Sequence, residues 1–229
     1  MANETVTKSN LKTPGAAAIA GLLFSVLLIA AFWLLQISVP ADPQEPDAWL
    51  RTNSNTVALA INLVPFAGIA FLWFIAVLRD RLGRLEDQFF ATVFLGSGLL
   101  LLGMLFVASA VVGGILPAFA AHSEDLIGSA TYHFARAAVY AVMNTYMVKM
   151  AVVFMVTTST IALYTNIAPR WLAIFGYGLS AILLIGSYYL SWSFVIFPLW
   201  VFLISISVLV ENFRRAPRSE QRELDDAHK

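Results

Sequence analysis

Long apolar runs alternate with short polar breaks along the whole chain, and this pattern predicts six membrane-spanning helices at 15–38, 56–78, 89–116, 134–164, 171–190 and 193–213. About 20 predominantly apolar residues, rising 1.5 Å each, cross the roughly 30 Å of hydrocarbon in a bilayer, and each run reaches that length. The runs are continuous, as from Gly98 to Leu105, whereas barrel strands would alternate apolar and polar positions over segments of about ten residues. The predicted fold is an all-α integral membrane protein, a six-transmembrane helical bundle, flanked by tails at 1–14 and 214–229. The first run, Gly15 to Ser38, follows Lys8 and Lys12 as a secretory signal would. It exceeds the roughly 7 to 15 residues of a signal's apolar core, so it is read as a retained span.

Polar residues between the runs set the expected orientation. Lys and Arg resist translocation and accumulate on the cytoplasmic side. With both termini inside, that side holds Lys8, Lys12, Arg79, Arg81, Arg84, Arg170, Arg214, Arg215, Arg218, Arg222 and Lys229, eleven cations against Arg51 alone in an outer connection. Trp and Tyr prefer the headgroup level, and they agree with this orientation: Trp33, Tyr188, Tyr189 and Trp192 fall at outer ends, Trp73, Tyr164 and Trp171 at inner ends. The expected topology is N-in/C-in, multi-pass, in a plasma (inner) membrane. Of the outer connections, 39–55 carries Pro40, Pro43 and Pro46 among Asp42, Glu45 and Asp47 and is expected to be an extended, solvated strap. A second outer loop is expected at 117–133. Ser191-Trp192-Ser193 leaves room only for a tight hairpin, with Ser191 or Ser193 capping the sixth helix. The charged tail from Arg214 onward is expected to be a short solvated end.

Composition narrows the classes of function. Hydrophobic residues make up 59% of the chain and charged residues 12%, which excludes an ordinary soluble domain. The 14 Lys+Arg are balanced by 14 Asp+Glu, so no basic field exists to hold nucleic acid. The absence of cysteine removes disulfides, thiol nucleophiles and thiolate metal sites. His122, His133 and His228 all lie outside the predicted spans, so no imidazole stands at membrane depth as a protease base or a haem ligand. No motif calls for a cofactor. Gly176-Tyr177-Gly178 resembles the end of a channel filter in composition only, because it lies within a continuous predicted span.

The candidate chemistry is sparse. Lys149 is the one ionisable side chain deep in a predicted span, and no span interior holds Asp or Glu to pair with it. It either snorkels toward the outer headgroups or lines a polar route with Asn62, Asn144, Thr145 and Tyr146. Buried Asn, Ser and Thr are expected mainly to join helices, and Pro65, one turn beyond Asn62, to kink the second span. Gly96, Gly98 and Gly103, with Ser109/Gly113 and Ala110/Gly114, give the third span a small-residue surface, and Gly176 with Ser180 does so for the fifth. Such surfaces admit a close neighbour within the bundle or at a subunit contact. Met143, Met147, Met150 and Met155 are read as gap-fillers in the fourth span. His122, Glu124, Asp125, His133 and Arg136 form a titratable cluster outside, and Arg79, Arg81, Arg84, Arg214 and Arg215 a basic set positioned for anionic headgroups inside.

Three functional readings fit these residues. The first is a non-enzymatic membrane component that binds lipid or partner helices, with membrane lipids, a second copy or another membrane protein as partners. The second is a small transporter or channel whose route passes Lys149, Asn62 and Asn144. The third is a membrane enzyme acting on a lipid or quinone at the outer face.

Overall fold

In the computed structural model of the chain, the described residues are 13–40, 48–82, 88–165, 169–186 and 193–227, and no strand occurs among them. The helices are α1 (Thr13–Ser38), the short α2 (Ala48–Thr52), α3 (Ser54–Leu82), α4 (Gln88–Ala121), the one-turn α5 (Ser123–Leu126), α6 (Ala130–Ala141), α7 (Val148–Thr165), α8 (Arg170–Gly186) and α9 (Ser193–Ala227). A π-helical segment, Val142–Met147, joins α6 to α7 and makes one continuous rod of them. Five helical stretches are long and apolar enough to cross a membrane: Ala18–Ser38, Ser54–Arg79, Gln88–Ala121, Ala130–Tyr164 and Ser193–Val210. The apolar α8 is shorter, with 17 residues.

Helix is the form these sequences must take where water is absent, because it pairs every backbone N–H and C=O within its own segment. Side chains extend the same economy. Ser25, Thr157, Thr158, Ser180 and Ser205 each donate to the carbonyl four residues back at 2.7–2.8 Å, and Asn62 does so to Ala58 at 2.9 Å. The expectation that these groups chiefly join helices is therefore corrected: they return to their own backbone, which lies within reach without any neighbour. Thr160 does both: its hydroxyl donates to the Val156 carbonyl at 2.9 Å and also meets Tyr177 Oη of α8 at 2.6 Å.

The main core is aromatic. Phe24 of α1, Phe71 of α3, Phe94 of α4, Phe154 of α7 and Phe197 of α9 are all fully buried and interlock, with ring centroids 4.5 Å apart for Phe24–Phe71, 4.8 Å for Phe94–Phe154 and 5.3 Å for Phe71–Phe154. Around them α1 packs chiefly on α3 and α9, and α7 on α8 and α4. The small-residue positions divide. A side chain at Gly98 would run into Ile75 and Phe154, and one at Gly176 into Ser159 and Trp200, so both are sites of close helix approach. Gly96, Gly103 and Gly114 face open space. The expected surface on the third span is thus only partly a packing surface within the bundle, because α4 is the least buried of the five long helices. Gly21 and Gly68, not singled out from sequence, are equally tight, against Ser205 with Phe74 and against Phe106 with Leu102.

A second, smaller core closes one end of the bundle. Trp49 and Leu50 of α2 are buried there with Val57 of α3, Ile115 of α4 and Tyr132 of α6. Two sequence expectations are corrected at this end. The connection 39–55 is not simply an extended strap: residues 41–47 lie outside the described residues, but α2 folds onto the bundle because Trp49 and Leu50 supply apolar area that the neighbouring prolines and acids obscure. The segment 117–133 is largely helical, since α4 continues through Pro117 to Ala121. Gly128, at φ 75°, turns the chain so that Ser129 caps α6, its side chain accepting from the Tyr132 N–H at 3.2 Å. At the other connection the Ser193 hydroxyl is buried without a hydrogen-bond partner, so it does not cap α9, and Ser191 lies outside the described residues. Beyond the last apolar residues α9 continues as helix to Ala227, through a segment rich in Arg and Glu, both favourable in helices.

Candidate functional site

The cavity that gathers polar groups lies between the two cores. It has a volume of about 220 Å³ and is lined by Phe32, Leu35, Gln36, Val39 and Pro40 of the end of α1 and the residues that follow, by Trp49, Val112 and Ile115, by Arg136, Val139 and Tyr140 of α6, by Met143 and Asn144 of the π segment, and by Phe194. The α6 contribution follows from spacing: residues 136, 139, 140, 143 and 144 recur at the i, i+3, i+4, i+7, i+8 interval of one helical face.

Hydrogen bonds fix the direction of this cavity. Arg136 Nη2 donates to the Pro40 carbonyl at 3.1 Å, so the end of α1 and the middle of α6 meet there. Phe32 lies eight residues before Pro40, Asn144 lies eight residues after Arg136, and both line the same cavity. The two helices therefore run in opposite directions along a slot about 12 Å long, at 1.5 Å per residue. Arg136 and Pro40 stand at one end; Phe32, Asn144 and Phe194 stand at the other, where the Phe32 and Phe194 rings meet edge to face at 4.9 Å.

Each polar side chain in the slot is held by its surroundings. The Arg136 guanidinium lies 5.9 Å from the centre of the Tyr132 ring, a cation–π distance. Tyr132 is itself fully buried, and its hydroxyl accepts from the Trp49 indole N–H at 3.1 Å. Asn144 Nδ2 donates to the Tyr140 carbonyl at 3.2 Å. That bond falls where the backbone ladder changes period, since the Val148 N–H reaches back five residues to the Met143 carbonyl. A π segment rotates the residues that follow it relative to a continuous α-helix and is frequent at functional sites. Gln36 also lines the slot.

The sequence-predicted residues separate. Asn144 and Arg136, expected in different candidate sites, both line the slot, one at each end. Asn62, Thr145, Tyr146 and Lys149 do not line it; all four are exposed, Asn62 on α3 and the others on the outward side of the π segment and α7. Of the residues expected in an outer loop, His122, Asp125 and His133 are exposed, with the His133 ring 5.8 Å from that of Tyr132, while the Glu124 side chain lies outside the described residues. No group of three or more His, Asp or Glu that could hold a metal ion occurs among the described residues. Arg79 is exposed at the opposite end of the bundle; the side chains of Arg81, Arg84, Arg214 and Arg215 lie outside the described residues. Sequence reasoning missed Gln36, Trp49, Tyr140 and Phe194 as members of a site, and took Met143 only as packing. Gln36 carried a usable signal, an amide within an otherwise apolar run; the others read as ordinary span or loop residues.

Comparison with known proteins finds no family model, no curated protein and no solved structure that matches this chain.

Proposed function

We propose that this chain is a six-span plasma-membrane protein with both termini in the cytoplasm, and that it is a non-enzymatic component which takes a membrane amphiphile into the slot. The observation that carries the reading is the lining: apolar side chains over most of the wall, with Arg136, Gln36 and Asn144 as its few polar side chains apart from the Trp49 and Tyr140 rings, a makeup common to small-molecule sites. Support for a sixth crossing comes from α8, whose 17 residues rise about 26 Å, close to the lower limit for a span, in a sequence that stays uncharged through Trp192. Support for the orientation comes from the eleven cations against Arg51, and from exposed Trp33 toward the slot end with exposed Trp73, Tyr164 and Trp171 toward the other. In that orientation the slot opens at the outer headgroup level.

Two measurements test this. Because the chain has no cysteine, single cysteines introduced at positions 45 and 229 report sidedness without background. A membrane-impermeant maleimide applied to intact cells should label position 45 and not 229, and the reverse would overturn the orientation. Met143→Trp should fill the inner part of the slot, and because Met143 also packs against the main core, thermal unfolding of the variant is followed alongside to show that the bundle is intact. Mass spectrometry of the protein purified in mild detergent should then show lipid retained by the parent and reduced at least about fivefold in the variant, a loss of ~1 kcal/mol. Equal retention would remove the slot from lipid binding.

A further inference from the structure

We infer that Lys149 is a docking point within the membrane for another protein, a transmembrane helix that carries an Asp or Glu near its midpoint. Nothing in this depends on the slot; it requires only that the rod of α6, the π segment and α7 cross the bilayer.

Depth comes first. The rod forms a single candidate span, Ala130–Tyr164. Arg136 near its start and Tyr164 at its end, 82% exposed, are residues suited to headgroup level. The 28 residues from one to the other rise about 42 Å, the thickness of a bilayer with its headgroups. Lys149 stands 13 residues from the first and 15 from the second, so its backbone lies near the middle of the hydrocarbon, about 15 Å from either edge. A lysine side chain extends roughly 6 Å, which leaves the ammonium well short of the phosphates. Snorkelling does not reach that far.

Direction comes second. Lys149 is exposed on the outward side of the bundle, together with Thr145 and Tyr146 one turn before it. Val153 and Val156, four and seven residues further on, continue the same helical stripe, and Val156 is exposed as well. A charged group between hydroxyl-bearing side chains and small apolar ones suits a seam against a second helix, with the hydroxyls placed to meet the same acid as the ammonium.

Charge decides the partner. A cation at this depth is costly unless an acid pairs with it. None of the chain's 14 Asp+Glu falls within the five candidate spans or within Arg170–Gly186. Neither this copy nor a second one therefore offers a carboxylate at mid-depth without drawing a connection or a tail into the hydrocarbon. A phospholipid keeps its phosphate at the surface. The complement is a carboxylate on a different protein, carried by a helix that crosses beside α7.

The test places the full chain in phosphatidylcholine vesicles with synthetic polyleucine transmembrane peptides whose central residue is Asp, Asn or Leu. Because the chain has no cysteine, one introduced at exposed position 122 carries a single dye for energy transfer to a dye on the peptide. The Asp peptide should associate about tenfold more tightly than the Leu peptide, and the Asn peptide less than about threefold more tightly. Moving the Asp eight residues toward one end, about 12 Å, should remove the preference. Lys149→Met should bring the Asp and Leu peptides within about twofold of each other, and Lys149→Arg should retain most of the difference. Equal association of the two peptides with the parent would overturn the inference, whether or not the variants fold. So would a preference that survives in Lys149→Met, an Asn peptide as tight as the Asp peptide, or a preference abolished when phosphatidylglycerol replaces part of the bulk lipid, which would put the ammonium at the headgroups. In native membranes a photo-crosslinking residue at position 146 should join the chain to a protein whose span holds Asp or Glu within about one turn of its midpoint. Crosslinks confined to lipid or to a second copy would overturn the inference.

Discussion

Phe154→Ala should lower the stability of the bundle by about 3 kcal/mol, toward the lower end of the range for truncating a buried Phe in a water-soluble core. The lower end is appropriate because lipid tails are as apolar as the ring, so its removal forfeits packing and leaves a cavity without much change in transfer energy. The packing at stake is unusually shared. Phe154 is fully buried, stacks on Phe94 of α4, tilts against Phe71 of α3 and meets Phe197 of α9 edge to face at 5.9 Å. One side chain of α7 thereby touches three other helices, and an alanine there loosens each of those contacts at once. Unfolding in mixed micelles with rising sodium dodecyl sulfate measures the loss. Ile185→Ala is the control, since Ile185 is 79% exposed and should change stability by less than about 0.5 kcal/mol. A Phe154→Ala protein as stable as the Ile185 control would mean that the aromatic cluster does not hold the bundle together.

Gly176→Leu should be nearly as damaging and by the opposite mechanism. At this position α8 approaches α7 and α9 so closely that even a Cβ would meet the Ser159 hydroxyl and come within 2.8 Å of the Trp200 indole nitrogen. Neither neighbour can yield cheaply: Ser159 has a short side chain and Trp200 is a fully buried ring. Overpacking of this kind costs about 1–3 kcal/mol, and here it should appear as separation of α8, which rests chiefly on α7. Gly103→Leu makes the discriminating comparison. Gly103 lies in a long helix like Gly176 but faces open space, so leucine there should be neutral or stabilising by up to about 1 kcal/mol through its better helix propensity. Thermal unfolding followed by tryptophan fluorescence separates the cases, and equal behaviour of the two variants would refute close packing at Gly176.

The contrast between these glycines marks how far the sequence could be read. Gly98, Gly103 and Gly176 look alike in a list of small residues on apolar helices, yet two are pressed against aromatic neighbours and one meets nothing. The same holds for the candidate site. Asn144 and Arg136 were visible as polar residues in or near the fourth span, but nothing in Val142–Met147, which has neither glycine nor proline, announces a π segment. Trp49 was hidden among prolines and acids, and its role depends on Tyr132, 83 residues away.

From the chain alone came a helical membrane protein, the approximate limits of its apolar helices and the absence of Asp, Glu, His and Cys from the interiors of its apolar runs. These are properties of local composition, because helix formation in hydrocarbon is settled within each segment by the need to pair its own backbone. Tertiary structure alone decided which faces of those helices meet, which glycines are crowded, and that the end of α1 and the middle of α6 enclose a slot with Arg136 at one end. Those depend on contacts between residues far apart in sequence, and in a bilayer every apolar face is equally acceptable to the lipid. Periodicity therefore does not tell a packed face from an exposed one; only the fit of one helix surface against another does.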